Sequence, residues 1–533
     1  MSSAPRRVEI YDTTLRDGSQ LEGISLTVDD KLRIAEQLDW LGVDYVEAGW
    51  PGANPKDDEL FRRAVTELHL AHSTLVAFGS TRRVKGKVDS DETLRCLLDA
   101  RTPVVCIVGK CWDYHVTEAL QTTLDEGVAM VGDSVEFLTA AGREVFFDAE
   151  HFFDGYRRNP EFSLRVLEAA AQRGATRLVL CDTNGGTLPH EIQRVVGEVV
   201  AYFGSDVGVA VHLHDDAGTG VANAIAGVLG GAVQVQGTIN GYGERTGNCN
   251  LTTIIPNLTL KMGIETIPRD RLDRLTPVAH HIAELVNMAL NPQAPYVGES
   301  AFAHKAGLHV SAIAKRPDAY EHVPPGDVGN GTRFVVSELA GKSTILLKAK
   351  ELGLELDGPQ VSEVVDTLKR MEHEGYHFEV ADASLELLMR SATGWSQGWF
   401  SVESFRVITD EAGGGVATEA TIKVHVGGER VIATAEGNGP VNALDGALRR
   451  ALGSRFPALD RVHLTDYKVR VLDTAKGTGA VTRVLIDSTN GDRTWTTIGV
   501  SENIIEASWQ AMYDSLVYGL LLAAERDPSL APS

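Results

Sequence analysis

Over about the first 240 residues, short apolar runs rich in β-branched side chains alternate with helical patterns. Eight runs read as strands: residues 8–11, 45–48, 75–78, 104–108, 145–148, 178–181, 207–212 and 233–237. Between most of them apolar positions recur at three- and four-residue spacing, as over 29–41 and 189–202, which predicts helices. Eight parallel strands with intervening helices predict an α/β fold, a closed (β/α)8 TIM barrel over residues 1–262. An open doubly wound sheet is the alternative.

The strand rhythm stops near Gly263. Residues 263–393 carry helical periodicity, broken at 291–295 and by the turn-rich stretch 324–332, and predict a helical connector with lid subdomains. Strand-like runs return at 405–409, 421–426, 431–435, 462–472, 481–486 and 494–498, with helical stretches at 441–452 and 503–522. A weak repeat accompanies them: Gly428-Glu429-Arg430 with Thr434 and Ala443 is echoed by Gly491-Asp492-Arg493 with Thr497 and Ala507. Both copies order strand, glycine turn and helix alike. Residues 394–533 are therefore expected to form an α+β domain with pseudo-two-fold symmetry.

Charge narrows the function classes. Lys and Arg number 50 against 73 Asp and Glu, a net charge of −23. No nucleic acid and no anionic membrane is expected as a partner. Small anionic substrates stay open, since a local metal or arginine overrides the mean field. The five cysteines, Cys96, Cys106, Cys111, Cys181 and Cys249, form no CxxC pair and read as reduced thiols of a cytoplasmic protein. Residues 1–7 show no signal-peptide pattern, and no apolar run approaches the roughly 20 residues of a membrane span.

Chemistry-bearing residues fall just after the predicted strands. In Asp12-Thr13-Thr14-Leu15-Arg16-Asp17-Gly18, Asp17 is a candidate oxygen ligand for a divalent metal, and Arg16 a candidate for polarising a carbonyl. A turn with a surface Arg–Asp pair is the bland alternative. His212-Leu213-His214 on a strand puts both imidazoles on one face. With Asp17 they would make a three-ligand site with open positions, which a 2-keto acid could occupy through two oxygens; an exposed polar strand end is the alternative. Glu150 follows the fifth strand and Thr183 the sixth, at the end where barrel enzymes build active sites. The glycine-rich run Gly241–Asn248 follows the eighth; Asn248 is a further candidate ligand, or part of a plain turn. His309 lies in the connector, where an ordinary helix histidine and a general base reaching in from a lid are both open readings.

Four motifs in this order, DTTLRDG (12–18), HLHDD (212–216), GYGERTGN (241–248) and AFAHKAGLH (301–309), resemble the family of 2-isopropylmalate, homocitrate and citramalate synthases. Gly49–Asp57 and Asp148–Gly155 are similar to its citramalate-forming branch. The resemblance implies an acyltransferase that condenses acetyl-CoA with a small 2-keto acid, pyruvate to (R)-citramalate in that branch, in a threonine-independent route to isoleucine. Isopropylmalate and homocitrate synthesis are the neighbouring specificities, lyase chemistry is the reverse reaction, and a non-catalytic amino-acid sensor is an alternative of another class. Carried over by motif, Asp17, His212, His214 and Asn248 hold a divalent metal ion (Mn, Mg or Zn), and Arg16 and Thr183 bind the keto acid. Glu150 with His309 removes the acetyl proton, and Tyr320 assists. The resemblance further implies a homodimer and a C-terminal domain that senses a branched-chain amino acid effector, isoleucine first; pure dimerisation is the other reading. The bulky Phe152 and Phe153 are expected to narrow the keto-acid pocket. Asp215, where the family usually has Asn, and Ser311, near a position where relatives often have Asp, depart from the pattern.

Overall fold

In the computed structural model, which describes residues 7–305, 312–313, 316–336, 341–412, 415–472 and 474–531, all eight predicted strands form and pair in chain order. They are β1 (Glu9–Asp12), β2 (Tyr45–Gly49), β3 (Thr74–Ser80), β4 (Val104–Lys110), β5 (Glu144–Glu150), β6 (Ala175–Asp182), β7 (Gly208–Leu213) and β8 (Gln234–Gly237). β8 pairs back onto β1, with Ile10 opposite Val235 and Asp12 opposite Gly237, so the sheet closes and the open-sheet alternative falls.

Helices α1 (Val28–Leu41), α2 (Pro55–Glu67), α3 (Glu92–Asp99), α4 (Leu124–Ala140), α5 (Phe152–Arg158), α6 (Pro160–Gln172), α7 (Pro189–Phe203) and α8 (Gly220–Gly230) fill the crossovers. Their ends follow local chemistry. Thr27 and Asp30 form a capping box at the start of α1, and Gly42, at φ +97°, ends it in the left-handed conformation.

Side chains alternate across each strand, and this alternation separates two cores. On β5, Val145, Phe147 and Ala149 face the helices and join the main core, whereas Phe146 faces inward. Inside the barrel a small cluster of Tyr11, Val76, Phe78, Val104, Cys106 and Phe146 fills the middle. Above it the same inward phase continues into polar residues.

The chain divides into two compact units, Met1–Phe302 with Glu321–Thr332, and Ala303–Tyr320 with Arg333–Ser533. The barrel unit runs past residue 262 because Leu275, Val278, Ala279 and Ile282 of the helix Leu275–Leu285 join the main core. In the second unit the two-residue strands Ala303–His304 and Arg333–Phe334 pair in parallel. They are too short to register as a sequence pattern.

The predicted α+β segment holds two antiparallel three-stranded sheets. Phe400–Ala412, Gly415–Val426 and Glu429–Gly437 precede the helix Pro440–Leu452; His463–Val471, Thr482–Thr489 and Thr494–Ser501 precede the helix Ile504–Arg526. The sequence echo marks equivalent turns. Gly428 (φ +83°) and Gly491 (φ +89°) each lie between the second and third strands of their sheets. Ile498 and Val500 share a core with Val361, Val364, Leu368 and Met389, so residues on both sides of position 393 bury one another. Among the described residues no helix is long and apolar enough to cross a membrane.

Candidate active site and metal centre

Short polar bonds hold the loop after β1 in place. The backbone N–H groups of Asp17 and Gly18 both donate to the Thr13 carbonyl, at 2.9 and 3.0 Å. Asp12 accepts from the Thr14 N–H at 2.8 Å, and the Thr14 hydroxyl accepts from Ile239 N at 2.9 Å, tying this loop to the segment after β8. Asp17 is thereby presented over the carboxyl end of the barrel, with only 3% of its surface exposed.

His212 lies on β7 and His214 just beyond it. Their shared phase brings His212 Nε2 and His214 Nε2 to 3.2 Å from each other. Asp17 Oδ2 is 3.1 Å from the first and 3.8 Å from the second. Among the described residues these three form the one histidine, cysteine and carboxylate group whose ligand atoms all lie within 4.8 Å of one another. Two imidazoles and a carboxylate on one side, with an open cavity on the other, are a donor set that suits a divalent cation.

Asn248 completes the ring. Its Nδ2 donates to Asp17 Oδ2 at 2.8 Å and lies 3.4 Å from His212 Nε2, while its Oδ1 is buried with no hydrogen-bond partner. A half-turn of the amide exchanges the two atoms and aims Oδ1 at the other donors. That orientation sets oxygen against oxygen without a cation and becomes favourable with one. The glycine-rich loop makes room for this side chain. A Cβ on Gly243, at φ +151°, would come within 2.0 Å of Asn248 Oδ1, and one on Gly247 would come within 1.9 Å of the Gly241 carbonyl.

Charge balance at the centre is uneven. Burial alone would raise the Asp17 carboxyl, but Arg16 and the two imidazoles outweigh it and hold it far below the usual carboxylate range. Burial lowers His212, yet the hydrogen bond and charge of Asp17 carry it above the ordinary imidazole value. His214 is pushed down to about 4 by burial and by His212. It stands neutral at pH 7, the form that binds a metal.

Arg16 approaches from the side. Its Nε donates to Glu47 Oε1 at 2.6 Å and its guanidinium lies 4.0 Å above the Phe78 ring. Tyr11 donates to the other Glu47 oxygen at 2.6 Å. Burial works against the guanidinium charge, but Glu47, Asp17 and Asp148 more than compensate and raise its pKa. A fixed cation beside the cluster of Asp17, His212 and His214 is suited to binding a carboxylate or a developing alkoxide.

Arg16, Asp17, Glu150, Thr183, His212 and His214 all line one cavity of about 620 Å³ at the barrel mouth. Glu150 is ion-paired with Lys110. Thr183 Oγ1 accepts from His151 N at 2.9 Å. The apolar walls include Trp50, Phe78, Val108 and Met130. Phe152 and Phe153 do not line it. They are buried in the main core instead, because they begin a helix outside the barrel wall, so the expected narrowing of the pocket by these two rings is incorrect.

Asp215, the departure in the histidine motif, accepts from Gly220 N at 2.6 Å at the start of α8. Tyr320 belongs to the second unit and is 48% exposed. His309 and Ser311 lie outside the described residues.

Sequence reading missed Glu47, Lys110, Asp148 and Gln236. Gln236 Oε1 accepts from His212 Nδ1 at 2.9 Å, and its Nε2 lies 3.5 Å from Asp148 Oδ1. Asp148 also accepts from Cys106 Sγ at 3.1 Å. Each missed residue stands an even number of places from an inward-facing residue of its own strand. The period of two, extended along the strands, was the signal that would have found them.

The profile of the HMGL-like family matches residues 7–278, that of the homocitrate synthase post-HMGL domain residues 296–376, and that of the LeuA allosteric (dimerisation) domain residues 379–520. The chain is 52% identical to an (R)-citramalate synthase of Aquifex aeolicus, covering 97% of this chain and 98% of that protein. It is 53% identical to one of Streptomyces coelicolor, covering 96% and 97%. A probable 2-isopropylmalate synthase of Methanopyrus kandleri stands further off, at 34% over 95% and 97%. By likeness over this share of both chains, the protein belongs to the (R)-citramalate synthases of the HMGL-like family.

Proposed function

We propose that the barrel mouth condenses acetyl-CoA with pyruvate and water to give (R)-citramalate and CoA. The observation that carries this reading is the meeting of Asp17, His212 and His214 on the wall of a cavity that also presents Arg16, Thr183 and Glu150. The full-length likeness to (R)-citramalate synthases supports the choice of reaction.

Asp17, His212, His214 and Asn248, through its Oδ1, would hold a divalent cation of the Mn, Mg or Zn class. Such an ion supplies Lewis acidity to the ketone of a bound 2-keto acid. Arg16 donates to the substrate's carboxylate and steadies the oxygen that gains charge. Thr183 already accepts from His151, which leaves its own O–H to donate into the cavity. Glu150 takes the proton from the acetyl methyl group, with Lys110 opposite to hold its carboxylate in place. The carbanion so formed attacks the ketone carbon, the C=O π pair moves onto the oxygen, and that oxygen takes up one proton to become the hydroxyl, balancing the proton Glu150 removed. Water then adds to the thioester carbonyl, the C–S bond breaks, and CoA leaves as the thiol. His309 as partner of the base and Tyr320 as its assistant rest on the motif alone.

The second unit is proposed to join two copies of the chain and to bind isoleucine as a feedback effector, supported by the match to a LeuA allosteric (dimerisation) domain. The five cysteines, all free, suit a reducing cytoplasm.

A panel of 2-keto acids with acetyl-CoA, read by thiol release, tests the reaction. Pyruvate should give the highest kcat/KM. A preference for 2-ketoisovalerate would move the chain to the isopropylmalate specificity, and no thiol release with any keto acid would defeat the reading.

A further inference from the structure

The loop between β3 and α3 carries Arg82, Arg83, Lys85 and Lys87 within six residues of a chain whose net charge is −23. Arg82 and the other three are used differently. Arg82 is 5% exposed and donates to Glu126 at 2.7 Å and to Asp133 at 2.7 and 2.9 Å. It is a fastener. Arg83, Lys85 and Lys87 are exposed, and among the described residues none of them is in an ion pair.

The loop is held in one shape. Lys85 adopts φ +56°, unusual for a residue with a side chain, and its N–H donates to Glu126 at 2.7 Å. The Arg83 N–H donates to Asp91 at 3.0 Å, and Gly86 N closes a turn onto the Arg83 carbonyl at 2.9 Å. Strained backbone of this kind persists where surrounding bonds over-determine it, and such places cluster at binding sites. Arg83 and Val84 line the cavity that contains Asp17, so this loop forms part of its rim.

Resting on the proposed function, we infer that Arg83, Lys85 and Lys87 form a cradle for the phosphates at the nucleotide end of the acyl-CoA. The acetyl end must lie near Arg16 and Asp17. The pantetheine arm then runs along the cavity, and the phosphates emerge at the rim. Elsewhere the mean field of the protein repels a polyanion, and three uncommitted cations at the rim reverse that locally. Lys110, which lines the cavity, is committed to Glu150.

The test compares acetyl-CoA with S-acetyl-pantetheine, which lacks every phosphate, on the full chain with pyruvate. The ratio of their kcat/KM values is measured for the parent and for the triple variant R83Q/K85Q/K87Q. It should fall about tenfold in the variant, the size expected of three exposed charge contacts of modest strength, with the loss in the KM for acetyl-CoA. The charge-keeping variant R83K/K85R/K87R should retain the parent ratio, which a purely structural role of the loop would not require. An unchanged ratio in the neutral variant, beside an active parent, overturns the cradle and leaves the proposed reaction standing. A parent that releases no CoA from acetyl-CoA with any keto acid overturns both.

Discussion

His212 on β7 and Gln236 on β8 are register partners, and the imidazole Nδ1–H donates to the Gln236 carbonyl oxygen at 2.9 Å. This bond decides which ring nitrogen is available. With the proton on Nδ1, Nε2 is left as the lone-pair donor, and Nε2 is the atom 3.1 Å from Asp17. Gln236 is therefore a positioning residue for the candidate metal centre. Q236A should weaken divalent-cation affinity by roughly 10- to 100-fold, measured by competition with a chelator, and Q236E should recover part of the loss. Equal affinity in Q236A and the parent would remove this role.

H212A and H214A should each lose bound metal and reduce turnover by on the order of a thousandfold or more, with little change in thermal unfolding. Both side chains are buried at the rim of the barrel and not in its apolar core, so circular dichroism melts should stay close to the parent's. Full activity of the parent after exhaustive chelation would contradict the metal assignment.

Arg16 is held by its Nε hydrogen bond to Glu47 and by the face of Phe78. A lysine keeps the charge but loses the planar fork and the stacking. R16K should lower kcat by roughly 10²- to 10³-fold, the range for removal of a preorganised donor. A KM effect on pyruvate with unchanged kcat would assign Arg16 to binding alone.

Asp514 lies on the helix Ile504–Arg526 and accepts from the Ser384 hydroxyl at 2.7 Å. Burial pushes its carboxyl up to about 6. The folded state thus binds this proton more tightly than the unfolded chain does. The resulting stability is complete below the unfolded carboxylate range and is lost as pH rises through about 6. D514N keeps an acceptor for Ser384 and never ionises. Its melting temperature should gain on the parent's between pH 4 and 7, reaching roughly 3 kcal/mol of added stability at neutral pH. A difference independent of pH would refute the assignment.

Isoleucine added to the full chain should inhibit, by a factor within the roughly 5- to 150-fold span of ordinary allosteric coupling. Removing everything after residue 394 is a poor test of this feedback. Ile498 and Val500 share a core with Val361, Leu368 and Met389, and that cut would expose it. Titration of the intact chain, with initial rates at sub-saturating pyruvate, is the cleaner measurement. Rates unmoved by isoleucine would remove it as the effector.

The sequence by itself determined the eight-strand barrel, the doubled strand-and-helix plan of the last 140 or so residues, and the candidate trio Asp17, His212 and His214. Those features are local. A strand has a period of two, a helix has a period near 3.6, and His-x-His on a strand faces one way whatever surrounds it. Only the tertiary structure decided what meets at the barrel mouth. Glu47, Asp148 and Gln236 carry no motif of their own; Glu47 became the partner of Arg16, Gln236 of His212 and Asp148 of Gln236 when closure set β1, β2, β5, β7 and β8 around one axis. Phe152 and Phe153 show the converse. They sit beside a motif residue in the chain, but the strand ends at Glu150 and the helix that follows turns both rings into the outer core. Adjacency in sequence fixes a side chain's phase along its own strand, and the closing of the barrel fixes its neighbours.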